Sequence, residues 1–206
     1  MIAIYGGSFD PIHIGHLRLA EDVREYFGFR QVVFVPAYIS PFKDRHFASP
    51  EDRKKMLHLA IKNNPYFFID DFEIRQSGKS YTIDTIKYFK KNYDNLFFLL
   101  GTDTFLSLHK WKNYKELVEL TNFIVLLRGN DTIINIENYI KKFFPNKKLK
   151  KDNQINFSET SFYIFEARKI DISSTEIRER IKEGRSIKYL VLPEIERYIK
   201  ENRLYL

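Results

Sequence analysis

Short apolar runs alternate with amphipathic stretches along the whole chain, the pattern of a doubly wound α/β domain built on a mainly parallel sheet. Residues 2–5 read as the first strand. Helical spacing of Leu17, Ala20, Val23, Arg24 and Phe27 predicts a helix over 16–27, with Gly28 as its stop. Residues 32–35 form a second buried strand. In Ser49-Pro50-Glu51-Asp52 the serine is a helix cap and the proline takes the first helical position, opening a helix that runs to about Asn63. Residues 67–69 and 72–74 are strand-like, 82–93 helical, and 96–100 a central strand ending at Gly101. Residues 123–127 and 162–165 complete a sheet of about six strands. From about residue 172 the chain is mostly helical, and Pro193 opens a last amphipathic helix. The polar, weakly periodic stretch 129–160 predicts an excursion from the core. There is no internal repeat.

At 206 residues, 44% of them hydrophobic and 16% aromatic, the chain can bury a substantial core. A single domain over 1–206 is the expectation, with room for two sub-lobes. Cysteine is absent, which excludes a disulfide framework, thiolate metal ligands and a cysteine nucleophile. Met-Ile-Ala-Ile-Tyr-Gly-Gly lacks the charged start and apolar stretch of a signal peptide, and no run approaches the roughly 18 apolar residues of a membrane span. The expectation is a soluble cytoplasmic protein with no membrane partner. The net charge of +7 suits a polyanionic partner, either nucleic acid or small phosphorylated molecules. The one basic cluster, Lys141, Lys142, Lys147, Lys148, Lys150 and Lys151, reads as a solvated face or loop.

The first stretch with chemistry is Gly6-Gly7-Ser8-Phe9-Asp10-Pro11-Ile12-His13-Ile14-Gly15-His16. A strand empties into a glycine-rich turn that opens a helix, which aims backbone N–H groups and the positive helix end at an anion. His13 and His16 fall at the helix entrance, where both imidazoles can donate to phosphate oxygens, and Gly15 leaves room between them. Turn glycines beside two surface histidines are the bland alternative, but a tight turn does not require two histidines at this spacing. His-Ile-Gly-His is also the signature of class I aminoacyl-tRNA synthetases.

The second stretch is Ile172-Ser173-Ser174-Thr175-Glu176-Ile177-Arg178. Ser173 and Glu176 have capping-box spacing, so one reading is a capped helix with a surface arginine. Three consecutive hydroxyls at a helix start, with an arginine one turn in, also suit a triphosphate whose charge grows as pyrophosphate leaves. The Lys-Met-Ser-Lys-Ser loop expected of a synthetase is absent.

Between the two stretches lie Pro36-Ala37-Tyr38-Ile39-Ser40-Pro41-Phe42-Lys43, Ser80-Tyr81-Thr82-Ile83-Asp84-Thr85, Gly101-Thr102-Asp103 and the segment from Leu108 to Trp111. With these strings the chain resembles the nicotinate-mononucleotide adenylyltransferases of bacterial NAD synthesis over nearly its whole length. The resemblance implies a Rossmann-like fold and the joining of Mg²⁺-ATP to nicotinate mononucleotide. It implies ATP contacts at Gly7, Ser8, Phe9, His13, His16, Asp103, Ile172, Ser173, Ser174, Thr175 and Arg178. Mononucleotide contacts fall on Lys43, Tyr81, Thr82, Trp111 and Lys112, and charge neutralisation on His13, His16, Lys43 and Arg178. No carboxylate cage for a metal is evident, so Mg²⁺ is expected to ride on substrate phosphates. Phe42 stands where many relatives carry histidine, and Arg128-Gly129 lacks the proline that often follows that arginine.

Several of these residues also have ordinary readings. Trp111, the only tryptophan, can stack on a pyridinium ring or anchor a core. Lys43 can clamp a phosphate or simply be solvated. Asp103 follows a buried strand, where it can hold ribose hydroxyls or cap the next helix, and Thr82 can be a plain N-cap. A pantetheine-phosphate adenylyltransferase shares the first motif but is not expected to carry Ser-Tyr-Thr and this tryptophan. A non-catalytic RNA-binding module would draw on the charge and the 13 tyrosines and 19 phenylalanines, but most of those fall at core positions. The number of subunits is left open.

Overall fold

The structure is a computed structural model that describes residues 1–42, 45–127, 132–156 and 158–206. In chain order its elements are β1 (Ile2–Gly7), α1 (Ile14–Phe27), β2 (Gln31–Pro36), α2 (Pro50–Ile61), β3 (Phe67–Ile69), α3 (Phe72–Gln76), α4 (Thr82–Lys90) and β4 (Leu96–Gly101). They continue with α5 (Thr102–Phe105), a 3₁₀ turn (Leu108–Lys110), α6 (Tyr114–Leu120), β5 (Asn122–Leu127) and α7 (Ile133–Phe143). Last come β6 (Leu149–Lys150), β7 (Phe162–Glu166), α8 (Ser174–Lys182) and α9 (Pro193–Glu201). The strands form one parallel sheet in the order β3-β2-β1-β4-β5-β7-β6. Strand order reverses between β1 and β4, which pair with Ile2 opposite Leu96 and Tyr5 opposite Leu99. In a doubly wound sheet, the carboxyl ends of the strands at such a reversal are where ligands are held.

The chain divides into two compact units. One consists of Met1–Gly6, Asp22–Val32 and Tyr81–Lys169. Its core is aromatic: Phe97 lies 5.0 Å from Phe29 and 5.8 Å from Tyr163, centroid to centroid, and Phe105, Phe123 and Phe162 are fully buried. The other consists of Gly7–Glu21, Val33–Ser80 and Ile170–Leu206. It carries both the glycine-histidine stretch and the Ser-Ser-Thr stretch.

Four expectations need correcting. Residues 72–74 are helical: two apolar positions, Phe72 and Ile74, are too few to fix a period, and the local polar groups favour a turn. The Phe72 N–H donates to Asp70 Oδ1 at 2.8 Å, and Arg75 pairs one turn on with Asp71 at 2.6 Å. The 129–160 stretch contains α7, whose buried Ile136, Tyr139 and Ile140 are spaced as one helical stripe. It also contains the two-residue edge strand β6, making seven strands in place of about six. Finally, α1 starts at Ile14 and buries Leu19, Ala20, Val23 and Phe27, while Leu17 and Arg24 are only half-buried.

Candidate functional site

The near motif is built for close approach. A Cβ at Gly7 would stand 2.9 Å from the Phe9 ring, and one at Gly15 would stand 3.0 Å from His13 Nδ1. Phe9 has a positive φ of 47° and a buried side chain against Phe34, edge-on to His16 at 5.3 Å. Any contact it makes with a ligand is therefore through its backbone. His13, also buried, takes the N-cap position of α1. Its carbonyl accepts from the N–H groups of His16 (3.0 Å) and Leu17 (3.3 Å). In return the His13 N–H donates to His16 Nδ1 at 3.3 Å, a reciprocal arrangement like a capping box with imidazole in the glutamate's place. Because Nδ1 accepts, a neutral His16 carries its proton on Nε2 and has a donor there. The two rings lie 3.7 Å apart.

Asp10 anchors the turn. Its buried carboxylate accepts from the Ala48 N–H (3.1 Å) and Tyr205 hydroxyl (2.8 Å) on one oxygen and from the Phe47 N–H (2.7 Å) on the other. Burial, then the neighbouring Asp10 charge, pushes the Tyr205 hydroxyl pKa up, which keeps the phenol a donor. Arg53, fully buried on α2, donates to the carbonyls of Ser8 (2.8 Å), Tyr38 (3.1 Å) and Ala48 (3.4 Å). Burial lowers its pKa and the Asp10 charge opposes the shift, so the guanidinium stays charged. The same loop is fastened further on, where the Tyr38 N–H donates to Ser80 Oγ at 2.8 Å.

The far motif is fastened onto the near one. Ser173 caps α8, its Oγ accepting from the Glu176 N–H at 3.1 Å. Ser174 Oγ donates to the Pro11 carbonyl at 2.9 Å. Arg178 donates to the Asp10 carbonyl at 2.7 Å and to Thr175 Oγ1 at 3.1 Å, and its guanidinium lies 4.2 Å above the Phe47 ring. The cap reading thus holds, but Arg178 is half-buried and bonded to the turn that carries His13 and His16. Ile172 is half-buried just before the cap.

In the other unit, α4 begins at Thr82 with Tyr81 as its N-cap residue and no side-chain capping bond, so Thr82 is not the cap. The Lys112 ammonium lies 3.3 Å from Asp84 and 4.4 Å above the Tyr81 ring, which ties the segment after Trp111 to the start of α4. Trp111 meets Phe98 edge-on at 6.2 Å. Its indole Nε1 is buried and has no hydrogen-bond partner among the described residues. Asp103 is an exposed residue inside α5, whose N-cap is Gly101, so it does not cap that helix. Lys43 and the Arg128-Gly129 pair lie outside the described residues, while Phe42 is exposed. In the basic cluster, Lys147, Lys148 and Lys151 are paired with Glu119, Glu159 and Glu137; Lys148 and Lys151 are exposed, whereas the Lys147 side chain is largely buried and also donates to Thr160 Oγ1.

The cytidylyltransferase-like family model matches residues 4–180. The chain is 45% identical over 178 residues to a protein of Aquifex aeolicus (strain VF5) named "Probable nicotinate-nucleotide adenylyltransferase", a match covering 85% of this chain and 100% of the relative. A protein of the same name from Hydrogenobaculum sp. (strain Y04AAS1) is 42% identical over 205 residues, covering 99% and 97%. The chain belongs to the nicotinate-nucleotide adenylyltransferase family. Its fold is also that of a solved nicotinic acid mononucleotide adenylyltransferase of Plasmodium falciparum complexed with NaAD. That similarity has a TM-score of 0.76 at 26% identity and covers 99% of this chain and 96% of the other.

In this adenylyltransferase family member, sequence reasoning missed Asp10, Arg53 and Tyr205 as site-shaping groups. Asp10 was legible only as half of a turn dipeptide, and Tyr205 stands 195 residues away from it in the chain. For Arg53 a signal existed: an arginine at a position where α2 presents its buried face, beside Met56 and Leu57. Among the described residues of the adenylyltransferase, no group of three or more His, Asp or Glu could hold a metal ion.

Proposed function

We propose that the chain transfers the adenylyl group of ATP to nicotinate mononucleotide, giving deamido-NAD and pyrophosphate, in the cytoplasm. A 5′-phosphate oxygen of the mononucleotide attacks the α-phosphorus, and the bond to the oxygen bridging to the β-phosphorus breaks. That phosphate is already ionised, so the attack needs no general base and the protein's task is positioning and charge neutralisation.

The observation that carries this reading, together with the family, is the fastening of the far motif to the near one by Ser174 and Arg178. His16, the Ser173 and Thr175 hydroxyls and the guanidinium belong to one unit, and all of them can donate. We assign triphosphate binding to this group, with Gly7, Ser8 and Phe9 contributing backbone and Ile172 the nucleoside side. The donor chemistry suits phosphate oxygens and not a cation, so Mg²⁺ enters with ATP and, when bound, neutralises triphosphate charge. His13, buried under Gly15, positions His16 and lines the same turn. Lys43 supplies a further positive charge.

For the pyridine mononucleotide we assign Tyr81, Thr82, Trp111 and Lys112. The first-turn N–H groups of α4, which carries no side-chain cap, suit the nicotinate carboxylate. Pyrophosphate release should be measured with Mg²⁺-ATP and, in turn, nicotinate mononucleotide, nicotinamide mononucleotide and 4′-phosphopantetheine. Release with the nicotinate compound above all is the expected result. Release with phosphopantetheine alone would overturn the assignment.

A further inference from the structure

Two residues before Trp111, the 3₁₀ turn is held from outside by α7. The backbone N–H of His109 donates to the Tyr139 hydroxyl at 2.9 Å, and the same hydroxyl lies 2.8 Å from His109 Nδ1. With the oxygen accepting from the backbone, the hydroxyl proton is available to donate to Nδ1 in the tautomer that carries the ring proton on Nε2. The phenol therefore bridges the backbone and the side chain of one residue. The imidazole stacks on Phe143 of α7 at 4.1 Å and 12°, while the buried Tyr139 ring meets Phe105 edge-on at 5.3 Å. Burial raises the Tyr139 pKa, so the hydroxyl keeps its proton through the neutral range.

Beyond the turn, Trp111 is held by the Phe98 edge contact and by its N–H donating to the Leu108 carbonyl at 3.0 Å. Lys112 is tethered to the start of α4. The indole's orientation thus depends on where residues 108–110 sit, and the Tyr139 hydroxyl of α7 holds them through both the backbone and the ring of His109.

We infer that Tyr139 is a positioning residue for the mononucleotide: through His109 it fixes the turn that presents the Trp111 ring. The inference rests on the assignment of Trp111 to the mononucleotide. It makes α7 a support of the acceptor pocket.

The test is Tyr139→Phe, which keeps the ring and removes the hydroxyl. It should raise the KM for nicotinate mononucleotide roughly five- to tenfold while the KM for ATP stays within about twofold. Acrylamide quenching of Trp111 fluorescence, with no substrate present, should rise, and as the only tryptophan its signal is unambiguous. His109→Asn retains an acceptor near the Nδ1 position and should behave like the parent, whereas His109→Ala should behave like Tyr139→Phe; both lose the Phe143 stack. Equal rises in both KM values, or unchanged quenching in Tyr139→Phe, would overturn the inference. Trp111→Ala serves as the control for the underlying assignment. If it leaves the mononucleotide KM unchanged, the assignment fails, while the quenching still reports whether Tyr139 holds the turn.

Discussion

The Arg178 guanidinium and the Asp10 carbonyl are 2.7 Å apart, joining stretches separated by 168 residues of sequence. The contact ties the Ser-Ser-Thr helix start to the turn that carries His-Ile-Gly-His. With Ser174 bonded to Pro11 alongside it, the first turn of α8 and the Asp10-Pro11 corner are held together at two points. The proposed triphosphate assignment rests on this coupling.

Arg178→Lys retains charge but loses the fork that reaches Asp10 and Thr175 together. The kcat/KM for ATP should fall roughly tenfold or more. The bond to a half-buried carbonyl also contributes to folding, so the melting temperature should drop by about 2–4 °C, corresponding to about 1 kcal/mol. Unchanged kinetics with the same thermal shift would mean that the arginine is purely structural.

His16 has two jobs that substitutions can separate. Its Nδ1 caps the His13 N–H and leaves Nε2 as a donor. His16→Gln restores a side chain suited to capping at the third helical position, so the melting temperature should stay within about 2 °C. Turnover should still fall roughly a hundredfold, about 3 kcal/mol, because the glutamine NH₂ does not stand where the imidazole Nε2 donor stood and, unlike imidazole, gains no positive charge by protonation. A turnover within threefold of the parent would remove His16 from the chemistry. His13→Ala should slow turnover as well, and it also removes the ring packed at 3.7 Å against His16.

Strand and helix positions were legible wherever apolar periodicity was long, as in β4, β5 and α1, and where a cap was spelled out, as at Ser49-Pro50. Both candidate motifs stand out in the sequence for a related reason: their spacing is local. What the sequence hid is the network that holds them, because Asp10, Arg53 and Tyr205 become neighbours only after folding. Residues 72–74 read as a strand because apolar Phe72 and Ile74 fit period two, and the deciding bonds come from Asp70 and Asp71. The helix α7 was hidden by the polar residues around its narrow apolar stripe.

Two tyrosines bonded to carboxylates predict an alkaline weakness. Burial, then the hydrogen bond to Asp52, pushes Tyr198 up to about 12, and burial with the Asp10 charge raises Tyr205 as well. In the unfolded chain both titrate near about 10. Above that pH the unfolded state loses protons that the native state keeps, so stability, undiminished below about pH 10, falls as pH rises further. Urea midpoints at pH 9 and pH 11 measure the slope. Tyr205→Phe should lower the midpoint at pH 9 and flatten the loss between the two, and an unchanged slope would refute the linkage.

Choice between the acid and amide mononucleotides tests the acceptor pocket. The start of α4 has no side-chain cap, and while the Asp84 N–H turns back to the Tyr81 carbonyl at 3.0 Å, the N–H groups of Thr82 and Ile83 stand at the positive end of the helix dipole, which favours negative charge there. Nicotinamide mononucleotide would turn an NH₂ group toward those donors, losing one or two charge-assisted bonds at about 1.5–3 kcal/mol each. The acid should therefore be preferred at least roughly tenfold in kcat/KM, and up to several hundredfold. Because Tyr81 and not Thr82 is the N-cap residue, and Thr82 makes no capping bond, Thr82→Ala should leave both stability and preference nearly unchanged. Trp111→Ala removes the ring face common to both substrates and should depress both kcat/KM values together, leaving their ratio within about threefold. The measurement is kcat/KM for the two mononucleotides at saturating Mg²⁺-ATP in the parent and both variants. Equal values in the parent, or a preference for the amide, would show that the first turn of α4 does not receive the carboxylate, whatever the fate of the adenylyl transfer.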